Sequence, residues 1–199
     1  MELNQIMIRK LSLALLAAAV TTAFTASEVS ARRRPAAPKP EPAAKSVPAP
    51  GGGKALELAK FNDWGAYSTQ GAKGKICYAL AQPKNREPSG LKRDPGYLFI
   101  SSRPGEGVQG EVSFILGFPL KEGTSDATAQ AGSESFELIT KGENAWVANA
   151  AREPQFVDAM RKTGKLIVKA PSKKGNATTD TYSLAGLSQA LERVRKECP

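Results

Sequence analysis

The sequence predicts a mainly β domain, built as an antiparallel sandwich or barrel, with a short helix and a C-terminal helix. Apolar residues recur with a period of two through much of residues 54–199, most clearly at 75–81 and 111–118. This alternation is typical of half-buried strands. Turn sequences separate many short strands at close spacing, which favours an antiparallel fold over alternating strands and helices.

The composition excludes several kinds of enzyme. There is no histidine among the 199 residues. Ser-His-Asp and Cys-His catalysis, histidine bases and histidine-ligated metal sites are therefore ruled out. Most familiar hydrolase chemistry is therefore excluded, and we name no catalytic residues.

The N-terminus predicts an exported protein. Arg9 and Lys10 precede an apolar run at residues 11–20, which is too short to span a bilayer comfortably. Small residues at 29–31 suit signal peptidase, so we expect residues 1–31 to be a signal peptide and the mature chain to have no transmembrane segment. An uncleaved anchor helix is the alternative. We expect the protein to be located in the periplasm. Secretion and association with the cell surface are the alternatives.

Residues 32–53 are expected to form a disordered basic tether outside the fold. They hold six of the 14 prolines, end in three glycines, and carry five basic residues against one acidic residue. Prolines favour extended conformations and keep such a segment semi-rigid. Peripheral contact with an anionic envelope is one role for this charge, and a solvated spacer is the other.

The domain at residues 54–199 is not expected to bind nucleic acid. Its 21 basic side chains exceed its 16 acidic ones by only five, and they are scattered along the chain. A nucleic-acid footprint would show a basic stripe or a stacking motif that alternates aromatic and basic residues.

Each element of this domain follows from a local pattern. Strands are predicted, in order, at residues 56–61, 65–69, 75–81, 97–101, 111–118, 135–140, 145–148, 166–169 and 178–183. Pro154 and Gly164 bracket a short helix. A longer C-terminal helix is indicated by apolar residues at spacings of three and four, namely Leu184, Leu187, Leu191, Val194 and Cys198.

The two cysteines favour an intramolecular disulfide. Cys77 lies on a predicted strand among small residues, and Cys198 lies on the apolar stripe of the C-terminal helix. Exported proteins keep such pairs oxidised. A redox-catalytic pair is the alternative, but it would need a Cys-x-x-Cys spacing or neighbours that stabilise a thiolate.

Several blocks together resemble the invasion-associated locus B family of exported Gram-negative proteins. The first blocks are residues 61–65 (FNDWG), 75–84 (KICYALAQPK) and 93–101 (RDPGYLFIS), and later ones are 111–113, 117–121, 140–147 and 179–184. They cover nearly all of residues 57–198. The resemblance implies an immunoglobulin-like β-sandwich with no cofactor and no established reaction, and the family name reflects an association with host-cell entry and virulence. Many members have a cysteine where this chain has Ser68, so the disulfide here is Cys77 to Cys198 or absent.

Four basic residues are candidates for contact with a partner: Lys84, Arg86, Lys92 and Arg93. They lie in one loop between two strands, and loops on rigid β-scaffolds are where binding usually occurs. A solvated loop is the plainer interpretation. We interpret Trp64 and Trp146 as core residues, and a saccharide-stacking platform is the alternative. We interpret Asp180 as a strand-edge or turn residue, and a catalytic carboxylate is the alternative.

Two functions remain in view. The first is a non-enzymatic envelope protein that binds an envelope or host-surface component, such as an anionic polysaccharide, peptidoglycan or another exported protein. The second is an envelope polysaccharide hydrolase or transferase that uses a pair of carboxylates. A concave pocket with two suitably spaced carboxylates would favour the second function, and acids that are all paired or solvated would favour the first.

Overall fold

The computed structural model describes residues 47–50 and 52–199. The predicted signal peptide and residues 32–46 of the predicted tether lie outside the described residues. The described part contains two α-helices, α1 (Glu153–Arg161) and α2 (Leu187–Glu197). Its strands are β1 (Leu56–Phe61), β2 (Trp64–Gly71), β3 (Gly74–Ala81), β4 (Asn85–Glu87), β5 (Tyr97–Arg103), β6 (Val108–Ile115), β7 (Gly123–Ala131), β8 (Glu134–Lys141), β9 (Asn144–Val147), β10 (Lys165–Pro171) and β11 (Ala177–Ser183).

The strands pair antiparallel in one sheet, which confirms the predicted mainly β class. The order across the sheet is β1-β2-β3-β5-β6-β9-β8-β7-β10-β11-β4. The immunoglobulin-like sandwich implied by the resemblance has two sheets, whereas hydrogen bonding here runs unbroken through all the strands. The predicted short helix and C-terminal helix are present as α1 and α2.

The sheet curls around a single main core. Phe114 on β6 and Tyr182 on β11 are far apart in the strand order, yet their ring centroids lie 6.2 Å apart. The backbone N–H of Asp63, in the β1–β2 turn, donates to the carbonyl of Ala185 at 3.3 Å, just beyond β11. Distant strands therefore face each other across the buried side chains.

Alternating side chains explain how this core is filled. On β8, Phe136, Leu138 and Thr140 are buried, whereas Glu137 and Ile139 between them are exposed. Each strand of this kind directs one face inward and leaves the other in solvent.

Helix α2 closes the core beside β1, β2 and β3. Its buried residues recur at helical spacing, and they are Leu187, Ala190, Leu191 and Val194. The helix begins after Gly186, whose φ of 96° is open to glycine and strained for other residues. A side chain there would also collide with the carbonyl oxygen of Phe61. Neither α1 nor α2, the helices of the described segments, is long and apolar enough to cross a membrane.

The two cysteines lie at disulfide distance at the end of α2. The sulfur atoms of Cys77, on β3, and Cys198, directly after α2, are 2.06 Å apart. Close by, the Lys75 ammonium donates to Oε1 of Glu197 at 2.7 Å. The covalent bond and this ion pair attach the last turn of α2 to β3.

The folded unit begins before Lys54, the predicted first residue of the domain. Val47 and Ala49 pack against buried side chains on the outer face of the sheet. The last part of the predicted tether is therefore in contact with the domain, because its apolar side chains find an apolar surface there.

Candidate binding surface around Asp180

A buried carboxylate on β11 organises the region where we expected a basic loop. Strand β4 pairs with β11, and this register places Arg86 opposite Asp180. The carboxylate of Asp180 is 2% exposed. A charge buried to this extent needs ionic partners and hydrogen bonds, and two guanidinium groups supply them.

Arg86 connects four segments of the chain. Its Nε donates to both carboxylate oxygens of Asp180, at 3.0 and 3.2 Å. Its Nη1 donates to the carbonyl of Asp94 at 2.7 Å, and its Nη2 donates to the carbonyl of Leu116 at 2.6 Å. The planar guanidinium group thereby links β4, β11, the loop at residues 88–96 and the end of β6.

Arg93 is buried in the same cluster. Its side chain is 5% exposed, and its Nη1 donates to Oδ1 of Asp180 at 3.2 Å. Its Nη2 donates to the carbonyl of Pro88 at 3.1 Å, and the guanidinium carbon lies 5.9 Å from the centroid of the Phe118 ring. Arg93 therefore holds the loop at 88–96 against the sheet.

The environment acts on the pKa of Asp180 in two directions. Burial raises the pKa above its ordinary value, and the hydrogen bond and charge of Arg86, with the charge of Arg93, lower it. Burial also lowers the pKa of Arg93, and the nearby charge of Arg86 adds to that effect. Two cations around one anion leave a positive local charge.

This geometry corrects the prediction that four basic residues form one contact surface. The side chains of Arg86 and Arg93 are only 19% and 5% exposed, and both pair with Asp180. Asp180 itself is a buried residue of β11, not a turn residue. Lys84 is exposed but forms an ion pair with Asp63, which lies in the β1–β2 turn. Lys92 is exposed and forms no ion pair with any described residue.

Lys92 belongs to a different constellation, which we call the basic pocket. This depression has a volume of about 390 Å³ and lies directly beside the Asp180 cluster. It is lined by Leu91, Lys92, Arg93, Phe118, Pro119, Ser172, Lys173, Lys174 and Asn176. Three lysines surround it, and Leu91, Phe118 and Pro119 supply its apolar part.

Local backbone contacts fix the lysines of the β10–β11 turn. The N–H of Lys173 donates to the carbonyl of Pro119 at 2.9 Å, and the N–H of Gly175 donates to the carbonyl of Ser172 at 2.8 Å. Ser172 is buried, and its hydroxyl accepts the N–H of Asn176 at 3.0 Å. The turn is therefore held against residues 117–120, with Lys173 and Lys174 exposed at its tip.

Sequence reasoning missed Lys173, Lys174 and Phe118 as members of a site. Phe118 lies more than fifty residues before Lys173 and Lys174 along the chain. The hydrogen bond from the Lys173 N–H to the Pro119 carbonyl and the bridge between Leu120 and Ser172 bring the two segments together. The sequence signal that was available is the pair of lysines in a turn between two strands.

The carboxylates that the enzymatic alternative requires are engaged elsewhere. Glu111 accepts two hydrogen bonds from Arg103, at 3.0 and 2.8 Å. Glu153 accepts the backbone N–H of Val112 at 3.1 Å, and burial raises its pKa. Within residues 47–50 and 52–199, no group of three or more acidic or cysteine side chains is arranged to hold a metal ion.

The two tryptophans have different environments. Trp64 is fully buried, and its indole N–H donates to the carbonyl of Ser183 at 3.0 Å, so it is a core residue as expected. Trp146 on β9 is half-buried and lines a small depression on the outer face of the sheet. The pair cannot form one saccharide platform, because Trp64 has no exposed surface.

Comparisons with known proteins add no further assignment. No protein-family model, no curated protein and no solved structure matches the chain. The chemistry of the basic pocket is therefore the basis for a functional conclusion.

Proposed function

We propose that this protein is an exported, non-enzymatic protein of the cell envelope that binds an anionic component of the envelope or of a host surface. The observation that carries the proposal is the basic pocket. Three exposed lysines surround a largely apolar depression of about 390 Å³. Ammonium groups attract anions from solution, and an apolar floor gives contact area to the uncharged part of the same ligand.

The location in the envelope rests on two further observations. The signal-peptide pattern at residues 1–31 supports export, and a disulfide of Cys77 with Cys198 suits an oxidising compartment. The blocks at residues 61–65, 75–84 and 93–101 support membership of the invasion-associated locus B family. We propose the periplasm as the location, with secretion or surface exposure as the route to any host contact.

The ligand chemistry that fits best is an acidic saccharide. Carboxylates on a sugar ring present negative charge at the spacing of several side chains, and the ring faces provide apolar surface for Phe118. No observation favours the hydrolase or transferase, since Glu111, Glu153 and Asp180 all have partners of their own.

Removal of the three lysines tests this function. A short galacturonate oligosaccharide, added to the mature chain in a calorimeter, should bind, and binding should weaken with salt because exposed charges are screened beyond about 8 Å at physiological ionic strength. The triple variant Lys92→Ala, Lys173→Ala, Lys174→Ala should raise Kd roughly tenfold or more, a loss of at least about 1.4 kcal/mol.

A matched control separates the pocket from general charge. The variant Lys162→Ala, Lys165→Ala, Lys169→Ala removes three exposed lysines from α1's C-terminal end and from β10. It should leave Kd unchanged, and uncharged maltotetraose should bind neither protein. Equal losses in both triple variants, or release of new reducing ends from the acidic oligosaccharide, would contradict the proposal.

A further inference from the structure

The outer face of the sheet carries a second apolar cluster, separate from the main core. It consists of Tyr67 on β2, Ile76, Tyr78 and Leu80 on β3, and Phe99 on β5. The rings of Tyr67 and Tyr78 stack with centroids 5.5 Å apart, and Phe99 lies 5.7 Å from Tyr78. We call this surface the aromatic face.

Four residues of the proline-rich segment cover part of this face. Residues 47–50 (VPAP), which we call the strap, place Val47 and Ala49 against the cluster. The hydroxyl of Tyr78 donates to the carbonyl of Pro48 at 3.3 Å. A segment that contains prolines thus lies on stacked aromatic rings, which is the chemistry by which aromatic grooves recognise proline-rich peptides.

The strap leaves the groove only partly filled. At the Val47 end, a depression of about 450 Å³ continues along Tyr67, Leu80 and Tyr97. On the other side of the strap, a depression of about 230 Å³ lies between Pro48–Pro50 and the half-buried Trp146. A longer peptide with the same chemistry would contact surface that the strap does not reach.

Little holds the strap in place. Among the described residues, one side-chain hydrogen bond links it to the sheet, and Val47 and Ala49 pack on the aromatic face. It is followed by glycines: the N–H of Gly52, at a φ of 76°, donates to the carbonyl of Ala49 at 3.1 Å. Glycines at this junction let the strap leave the face without distorting β1, because their backbone tolerates many conformations.

We propose that the aromatic face is a docking groove for an extended, proline-containing peptide of a partner protein, and that the strap is a displaceable cover of that groove. This inference is independent of the basic pocket, since no residue is shared between the two surfaces. Because the strap is tethered beside its site, it competes at an effective concentration on the order of millimolar. A partner peptide therefore binds more weakly while the strap is docked.

Release of the strap in the full mature chain tests the proposal. The variant Val47→Asp, Ala49→Asp places two carboxylates on an apolar surface and should undock the strap. The probe is a synthetic peptide with the sequence of residues 43–53, which carries the native VPAP sequence. It should bind this variant at least tenfold more tightly than the unchanged chain, with a shift in the fluorescence of Trp146.

Matched controls define the outcome. Adding the same two charges further along the tether, as Ala36→Asp, Ala37→Asp, should leave peptide binding as weak as in the unchanged chain. Tyr78→Phe, combined with Val47→Asp and Ala49→Asp, should weaken peptide binding a few-fold. It removes the hydroxyl that donates a hydrogen bond to the carbonyl of Pro48. A peptide carrying the Val47→Asp and Ala49→Asp changes should not bind.

Three results would overturn the proposal. Absence of peptide binding to the released variant would show that the face is no groove. Concentration-dependent dimerisation of that variant, without peptide binding, would identify a second copy as the occupant. If the released variant fails to fold, the unchanged chain is titrated with the peptide at millimolar concentration and followed by NMR. Unaltered signals of Tyr67, Tyr78 and Phe99 would then show that the strap is a permanent part of the fold.

Discussion

At the scale of single residues, Asp180 decides which basic side chains are available to a ligand. A buried carboxylate without partners would cost several kcal/mol, so the fold supplies two guanidinium groups. Arg86 and Arg93 also donate hydrogen bonds to four backbone carbonyls, which hold both guanidinium groups in place. The charges of Arg86 and Arg93 therefore stabilise the fold. The positive charges exposed to solvent in this region are those of Lys92, Lys173 and Lys174.

This division predicts that Asp180 and Lys92 differ sharply in their effect on stability. Asp180→Asn removes the anion and leaves two guanidinium groups beside each other, so the free energy of unfolding should fall by about 3–5 kcal/mol. Lys92→Met, at an exposed position, should change it by no more than about 0.5 kcal/mol. Urea unfolding followed by circular dichroism measures both. If both substitutions changed the free energy of unfolding by the same small amount, the ion pairs of Asp180 with Arg86 and Arg93 would contribute little to the stability of the fold.

The same residues show what sequence can and cannot reveal about a site. Lys84, Arg86, Lys92 and Arg93 form a basic loop when read along the chain. The acids nearby in the sequence are Glu87 and Asp94, but neither forms the ion pairs of Arg86 and Arg93. The partner lies more than eighty residues away, on β11. Long-range pairing of this kind depends on strand register, which a single sequence does not contain.

At the scale of elements, alternation predicted the strands that contribute large side chains to the core. It failed at β7, whose inward residues are Ala127, Ala129 and Ala131. These alternate correctly, but alanine gives only a weak apolar signal and is less common in strands than β-branched and aromatic residues. It also failed at β4, where three polar residues are held by pairing with β11 and not by burial of apolar surface.

Helix α2 is predictable for the opposite reason, because its apolar stripe and its cysteine both appear in the sequence. The stripe packs on the sheet, and the disulfide of Cys77 with Cys198 closes a loop with a sequence separation of 121 residues. Loop-closure entropy gives about 4–5 kcal/mol for such a loop, which is an upper limit. The disulfide therefore stabilises α2 where apolar packing already places it.

Cys198→Ser should lower the thermal midpoint by up to about 10 °C while the far-ultraviolet spectrum of the folded chain stays the same. The bond acts mainly on the unfolded chain, so native strands and helices should survive its loss. Calorimetry with and without reductant provides the control, since the unchanged chain should drop to the variant's midpoint when it is reduced. A variant that still responded to reductant, or a chain that showed two free thiols when purified from an oxidising compartment, would contradict this assignment.

At the scale of the whole molecule, the sheet buries apolar side chains on both faces. Its inner face forms the main core with α1 and α2, and part of its outer face is covered by the strap. Composition correctly indicated that residues 32–53 are poor in large apolar side chains, but it placed all of them outside the fold. Residues 47–50 pack on the sheet because a few small apolar residues suffice when an aromatic surface is already formed.

Burial of tyrosines on both faces predicts how stability depends on alkaline pH. Burial and the hydrogen bond to Glu57 raise the pKa of Tyr67 to about 12, and burial raises the pKa values of Tyr78 and Tyr182 as well. In the unfolded chain these phenols ionise near their ordinary pKa of about 10. Raised pKa values in the folded state mean that their contribution to stability is complete below pH 10 and is lost as the pH rises through the folded-state values.

The free energy of unfolding should therefore decline between about pH 10 and pH 12, with Tyr67 alone accounting for about 2 kcal/mol at pH 12. Tyr67→Phe should show a shallower decline, because phenylalanine has no proton to lose. Denaturant titrations at a series of pH values give the two slopes, and phenolate absorbance of the folded chain reports the tyrosine pKa directly. Releasing the strap with Val47→Asp, Ala49→Asp should bring the phenolate midpoint closer to 10, since it exposes Tyr67 and Tyr78 while Tyr182 stays in the core. Identical slopes for the unchanged chain and Tyr67→Phe would show that Tyr67 contributes nothing to the alkaline loss of stability.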